Sequence, residues 1–120
     1  MSDTKFVRAL TLDRFGDAVN DIKGVDVRHL PLFTTLLVRT MNSLYRLVIV
    51  EATDVCVQGG EFFRNPERAS LEGSSTERRC LKVGWIGVGR MMEIRSEGRR
   101  ITTSPVRGIV IEPPLHDIVH

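Results

Sequence analysis

The sequence predicts an all-β chain: a small antiparallel β-barrel of about six to eight strands with one short N-terminal helix. Three observations carry that expectation. Strand formers dominate, with 14 Val, 8 Ile and 9 Thr against 4 Ala, 3 Lys and 1 Gln, a balance that favours pleated backbone over helix. Residues 81–112, LKVGWIGVGRMMEIRSEGRRITTSPVRGIVIE, join strand formers, spaced glycines and a tight turn into one antiparallel signal. The strands expected at 36–41, 44–50 and 106–111 carry apolar residues on both pleat faces, which suits a sheet covered twice, as in a closed barrel or an oligomer interface.

The second signal is the most specific. With Glu97-Gly98 as a two-residue loop, Ser96 faces Arg99, Arg95 faces Arg100, Ile94 faces Ile101, Glu93 faces Thr102 and Met92 faces Thr103. A three-residue loop would set Ile94 against Arg100, and a one-residue slip would turn every side chain to the opposite face.

A single domain, 1–120, is expected: a helix-containing segment 1–35, the barrel 36–112 and a tail 113–120. Val, Ile, Leu and Phe make up 38 of the 120 residues, well above the composition of disordered chains. Net charge is only +2, although 14 of the 17 basic residues are Arg. Cys56 and Cys80 have no CxxC spacing, so they are read as free thiols and no zinc or redox site is expected. The N-terminus lacks a basic region followed by an apolar run, and no stretch approaches ~20 apolar residues. A cytoplasmic chain without a membrane segment is the expectation.

Taken in order, residues 1–10 read either as a lead-in or as a short edge strand through Phe6 and Val7. Leu12, Phe15, Val19 and Ile22 then recur at helical spacing, with Thr11 as N-cap, Asp13 in the first turn and Gly24 past the end. Val25 to Pro31 reads as a connector carrying His29. A hairpin follows with Asn42-Ser43 as its loop, setting Thr40 against Tyr45, Arg39 against Arg46 and Val38 against Leu47. Residues 51–54 bend the chain into a strand through Val55 and Val57 that ends at Gly59-Gly60. EFFRNPER, 61–68, reads as a loop, and of the adjacent Phe62 and Phe63 only one can face inward on a regular strand. A short strand, 69–73, leads to a polar loop, 74–79. Strands are expected near 81–86, 88–95 and 99–104, with a bulge or edge at Pro105, which cannot donate to a ladder. The chain continues through Ile111 and is stopped by Pro113-Pro114.

The segments TMNSLYRL (40–47), GGEFF with a following proline (59–66), LEGSS (71–75), LKVGWIGVGRMMEI (81–94) and ITTSPV (101–106) resemble a group of short hypothetical bacterial proteins. The resemblance spans about two-thirds of the chain. It implies a compact β fold and no substrate or site.

Candidate functional residues are few. Gly84, Gly87 and Gly89 run in the reverse order of the dinucleotide fingerprint and open no helix, so glycines on a bent strand or beneath Trp85 are the better reading. Trp85 could act as a ligand platform, but a lone Trp is more commonly half-buried. Ser74, Ser75, Arg78 and Arg79 in the loop 73–79 have the composition of an anion-binding nest, which is also that of a solvated loop. His116 and His120, four apart beside Asp117, could share a metal only if helical, and no metal is predicted. Glu93 and Thr102 beside Arg95 and Arg100 could form a polar site, though cross-strand charge balance is the plainer account. The opposed arginines, 39 with 46 and 95 with 100, require relief from neighbouring Glu side chains or from an acidic partner.

No GxSxG, SxxK or HExxH occurs. Neither a catalytic residue nor a cofactor is predicted. The leading expectation is a non-enzymatic interaction module acting as a homo-oligomer, with Phe62, Phe63, Leu37, Val48, Ile109 and Ile111 as candidate interface. The rival is an RNA- or single-strand-binding barrel using Arg39, Arg46, Arg95, Arg99 and Arg100, although no such binding is expected at physiological salt. An enzyme with a site around Trp85 and the 73–79 loop is the third reading.

Overall fold

A computed structural model describes residues 22–76, 78 and 80–114. The helix expected from Leu12 to Ile22 falls almost entirely outside the described residues. Phe6, Val7, Arg79, His116 and His120 lie outside them as well.

Nine strands follow in chain order among the described residues: β1 Gly24–Asp26, β2 Thr35–Thr40, β3 Leu44–Glu51, β4 Asp54–Gly59, β5 Phe63–Ser75, β6 Leu81–Val83, β7 Trp85–Gly87, β8 Met91–Ser96 and β9 Arg99–Glu112. A 3-10 turn, Val27–His29, follows β1. Six of the strands close into an antiparallel ring in the order β2-β3-β4-β5-β8-β9, with β9 returning to β2. Each neighbour in the ring is therefore the next ring strand in sequence, an up-and-down barrel. The expected small β-barrel is the fold.

Two long strands make closure possible. The first half of β9 pairs with β8 and the second half with β2. Likewise β5 pairs with β4 through its first half, then with β8 through its second half. Strands shared in this way stagger the register, which is the geometric condition for closing a small barrel. β6 pairs with β5 at Gly73, Ser74 and Ser75, where β4 has already ended, and β1 pairs with β7 in a separate ribbon.

The inward positions alternate along every ring strand. Leu36 and Val38, Tyr45, Leu47 and Ile49, Val55 and Val57, Phe63 and Leu71, Met92 and Ile94, and Ile101, Val106 and Ile109 form one buried apolar cluster. Side chains fill the barrel, so it is a packed core.

The Glu97-Gly98 hairpin has the expected register from Ser96–Arg99 to Glu93–Thr102. It then shifts, so that Met91 pairs with Pro105 and the expected Met92–Thr103 pair is replaced by a hydrogen bond from Met92 N to Thr103 Oγ1 of 3.0 Å. The irregularity expected at Pro105 is this bulge, and β9 runs through it unbroken.

The first hairpin differs from the sequence reading. Arg39 pairs with Leu44, Val38 with Tyr45 and Leu37 with Arg46, so its loop is Met41-Asn42 and the expected Arg39–Arg46 opposition does not form. Thr40 closes the turn: its N–H donates to Ser43 O at 2.8 Å and its hydroxyl accepts from Ser43 N at 3.0 Å. Met41 N donates to Pro105 O and Asn42 N to Ser104 Oγ, tying the turn to the β9 bulge. Each pairing moves by two positions, which leaves every side chain on its expected face.

Three further segments differ from the sequence expectation. EFFRNPER is no loop beyond Phe62, because Phe63 opens a 13-residue β5 that runs to Ser75. Pro66 fits there because the β4–β5 register breaks between Val57 and Gly59, where no ladder bond is needed from it. Ser74 and Ser75 are strand residues, on opposite faces. Part of the 25–31 connector is strand β1, paired with Ile86 and its neighbours.

Candidate functional site

Side chains fill the interior among the described residues, so candidate sites are sought on the outer surface. Two places there depart from plain solvated sheet.

The first is on the outer face of β5, β8 and β9. Register puts Gly73, Ser75, Met91, Glu93, Arg95, Arg100 and Thr102 on one side of these strands, with Leu81 and Val83 of β6 beside them. Gly73 permits the close approach of β6: a Cβ there would lie 2.1 Å from Lys82 O. Glu72, in the register break of β5, accepts from Arg95 Nε at 2.8 Å and from Arg100 Nη2. The two guanidiniums hold the Glu72 carboxyl below its usual range. The opposed arginines are thus relieved from within the chain.

Beside this triad a cavity of about 440 Å³ opens between Ser75, Thr76 and Leu81 on one side and Met91, Glu93, Arg100 and Thr102 on the other. Glu93 is 7% exposed. Its two carboxylate oxygens accept from different hydroxyls, Oε2 from Ser75 Oγ and Oε1 from Thr102 Oγ1 at 2.7 Å.

The second place is the turn Pro31–Thr34, closed by Thr34 N to Pro31 O at 3.1 Å. Phe33 occupies its third position with φ of 68°, where type II turns ordinarily require Gly. Its N–H donates to Ile49 O at 2.7 Å, and Thr34 O accepts from Ile49 N at 2.9 Å, so β3 pins the turn. Leu32 and Phe33 are nevertheless 52% and 59% exposed. The adjoining Thr34 hydroxyl is buried without a hydrogen-bond partner.

The remaining sequence candidates fall as follows. Phe63 and Ile109 point into the core, Ile111 packs against it, and Phe62 is half-exposed. Leu37 does face outward, but it is buried with Val110, its partner across β2 and β9, and half-buried Leu44 packs on the pair. Val48 is half-buried. Ile109 and Phe63 are therefore corrected from interface to core, because each pairs on the inward side of its strand. Arg39, Arg46, Arg78 and Arg99 are exposed. Ser75 is bonded to Glu93, whereas Ser74 points to the other face, its hydroxyl buried and unpartnered, so the two do not converge as a nest would need. Trp85 is half-buried over Gly24 and Gly87, at either of which a Cβ would strike the ring, and Lys82 Nζ lies 4.0 Å from the ring centroid. Asp26 holds Arg28 Nη2 at 2.7 Å, and that guanidinium lowers the Asp26 carboxyl to about 2.

Among the described residues, no three His, Cys, Asp or Glu side chains group as metal ligands and no helix is long and apolar enough to cross a membrane. The exposed Leu32-Phe33 pair was missed from sequence because Phe is not a turn residue. Its only sequence signal is Pro31, a turn former, ahead of two large apolar residues and the strand. Comparison with protein-family models, curated proteins and solved structures yields no match.

Proposed function

We propose that this chain is a non-enzymatic interaction module that works as a homo-oligomer and associates through the Leu32-Phe33 turn. The observation that carries the reading is Phe33, a bulky aromatic held in left-handed backbone with most of its ring in solvent. Neither property helps the monomer. Left-handed backbone costs a non-glycine residue roughly 1–2 kcal/mol, and an exposed aromatic gains little from burial. Strain of this kind at an exposed apolar residue is a mark of a binding site, and aromatic anchors dominate the energetics of protein interfaces. Met41, Phe62 and Val88 add exposed apolar surface on other loops. The nucleic-acid alternative has weaker support, because Arg95 and Arg100 are occupied by Glu72.

Light scattering at micromolar concentration tests the proposal. At least twice the 13.5 kDa chain mass is expected for the parent, and Phe33→Gly is expected to return the monomer mass while circular dichroism shows the same sheet content. A parent chain that is monomeric throughout, or a variant that associates as before, overturns it.

A further inference from the structure

The geometry points to the Glu93 cavity as a binding site for a guanidinium group on a short aliphatic chain. Glu93 is more than nine-tenths buried, and among the described residues its partners are two neutral hydroxyls, Ser75 and Thr102. A carboxylate removed from water without a cation is costly, and charged partners are the usual remedy. Among the described residues no guanidinium is bonded to Glu93: Arg100 lines the cavity but, like Arg95, pairs with Glu72. A carboxylate offers about four acceptor sites. One hydroxyl on each oxygen leaves a free site on each, which is the arrangement a bidentate guanidinium fork fits and a point-like ammonium does not. Leu81 and Met91 supply apolar wall for the aliphatic stem. The cavity's volume of about 440 Å³ is ample for such a group. Arg100, at the rim, opposes a second cation and sets the affinity low.

The site is independent of the Phe33 turn and does not require the chain to associate. The test is an amide-shift NMR titration of the full chain with n-propylguanidinium, with n-propylammonium as comparison. n-Propylguanidinium should shift Ser75, Glu93 and Thr102 with a dissociation constant on the order of 1–10 mM, and n-propylammonium should bind at least several-fold more weakly. Glu93→Gln should lose at least tenfold, as expected for removal of a charged acceptor. Arg100→Gln alters an exposed side chain and should tighten binding a few-fold, an effect that fades with salt. Blocked arginine, N-acetylated and amidated, separates the sources: binding equal to that of n-propylguanidinium assigns the group to a peptide, and its exclusion assigns it to a free small molecule. Absence of shifts at these residues, equal binding of the two cations, or affinity unchanged in both variants overturns the inference.

Discussion

Two tight turns in this protein place a residue in left-handed backbone at a similar point and fill it differently. In the Glu97-Gly98 loop, φ is 50° and 78°, and glycine takes the more demanding position with nothing within 4 Å of where its Cβ would be. In the Pro31–Thr34 turn, φ of 68° falls to Phe33. The first turn gives its larger positive φ to glycine, although Glu97 also takes left-handed backbone, and it was readable from sequence. In the second, residue type and backbone conflict, and the conflict coincides with an exposed ring and an orphaned hydroxyl. Agreement marks a residue kept for folding. Glu97 and Ala52 share positive φ at exposed positions, so what sets Phe33 apart is the large apolar ring that it holds there in solvent.

Breaking the first turn should have the largest effect on stability. Gly98→Val places a β-branched residue at φ of 78°, and about 1–3 kcal/mol of destabilisation is expected. Thermal denaturation checks this, and an unchanged midpoint would show that the loop does not need positive φ.

The second turn should respond in the opposite sense. Phe33→Gly relieves left-handed strain of roughly 1–2 kcal/mol but adds about 0.4–1 kcal/mol of unfolded-state entropy, so monomer stability should be unchanged or higher by up to about 1.6 kcal/mol. Ala52→Gly is the matched control, because Ala52 also has positive φ, 53°, in the β3–β4 turn. Both variants should be similarly stable, and only Phe33→Gly should abolish association in light scattering. Loss of association in both would remove the distinction between the turns.

Charge gives a smaller contrast beside the first turn. Glu72→Gln would leave Arg95 and Arg100 face to face without their shared carboxylate. A loss of at most about 1 kcal/mol is expected for so exposed a network. Added salt should restore part of it, as denaturant melts at low and high ionic strength would reveal. A loss that deepens with salt would contradict this account.

The smallest effect expected is that of Asp26, just before the second turn. Its carboxyl is lowered from 3.8 to about 2, so the folded state favours the ionised form. The resulting stability is complete above the ordinary carboxyl pKa and disappears as pH falls toward 2. Asp26→Asn should therefore flatten the acid limb of the stability curve between about pH 4 and 2, and an identical limb would mean the Arg28 pair contributes nothing.

Sequence alone determined the strand-dominated class, the barrel and the register around Ile94 and Ile101, because side-chain alternation and a glycine turn are properties of neighbours along the chain. It also named the opposed Arg95 and Arg100 and the need to relieve them. It could not supply Glu72 as the relief, since that carboxylate arrives on β5 from 23 residues before Arg95. The first hairpin shows the same limit. Asn42-Ser43 is the better local turn, yet hydrogen bonds from Met41 and Asn42 to the β9 bulge select Met41-Asn42 instead. Residues 63–68 have poor strand propensity and Pro66, but pairing with β4 and closure of the ring make them strand. The Glu93 cavity and the conformation of Phe33 belong wholly to the tertiary structure, because each depends on which strand closure places alongside: β6 against β5 for the cavity, β3 against the turn for the ring.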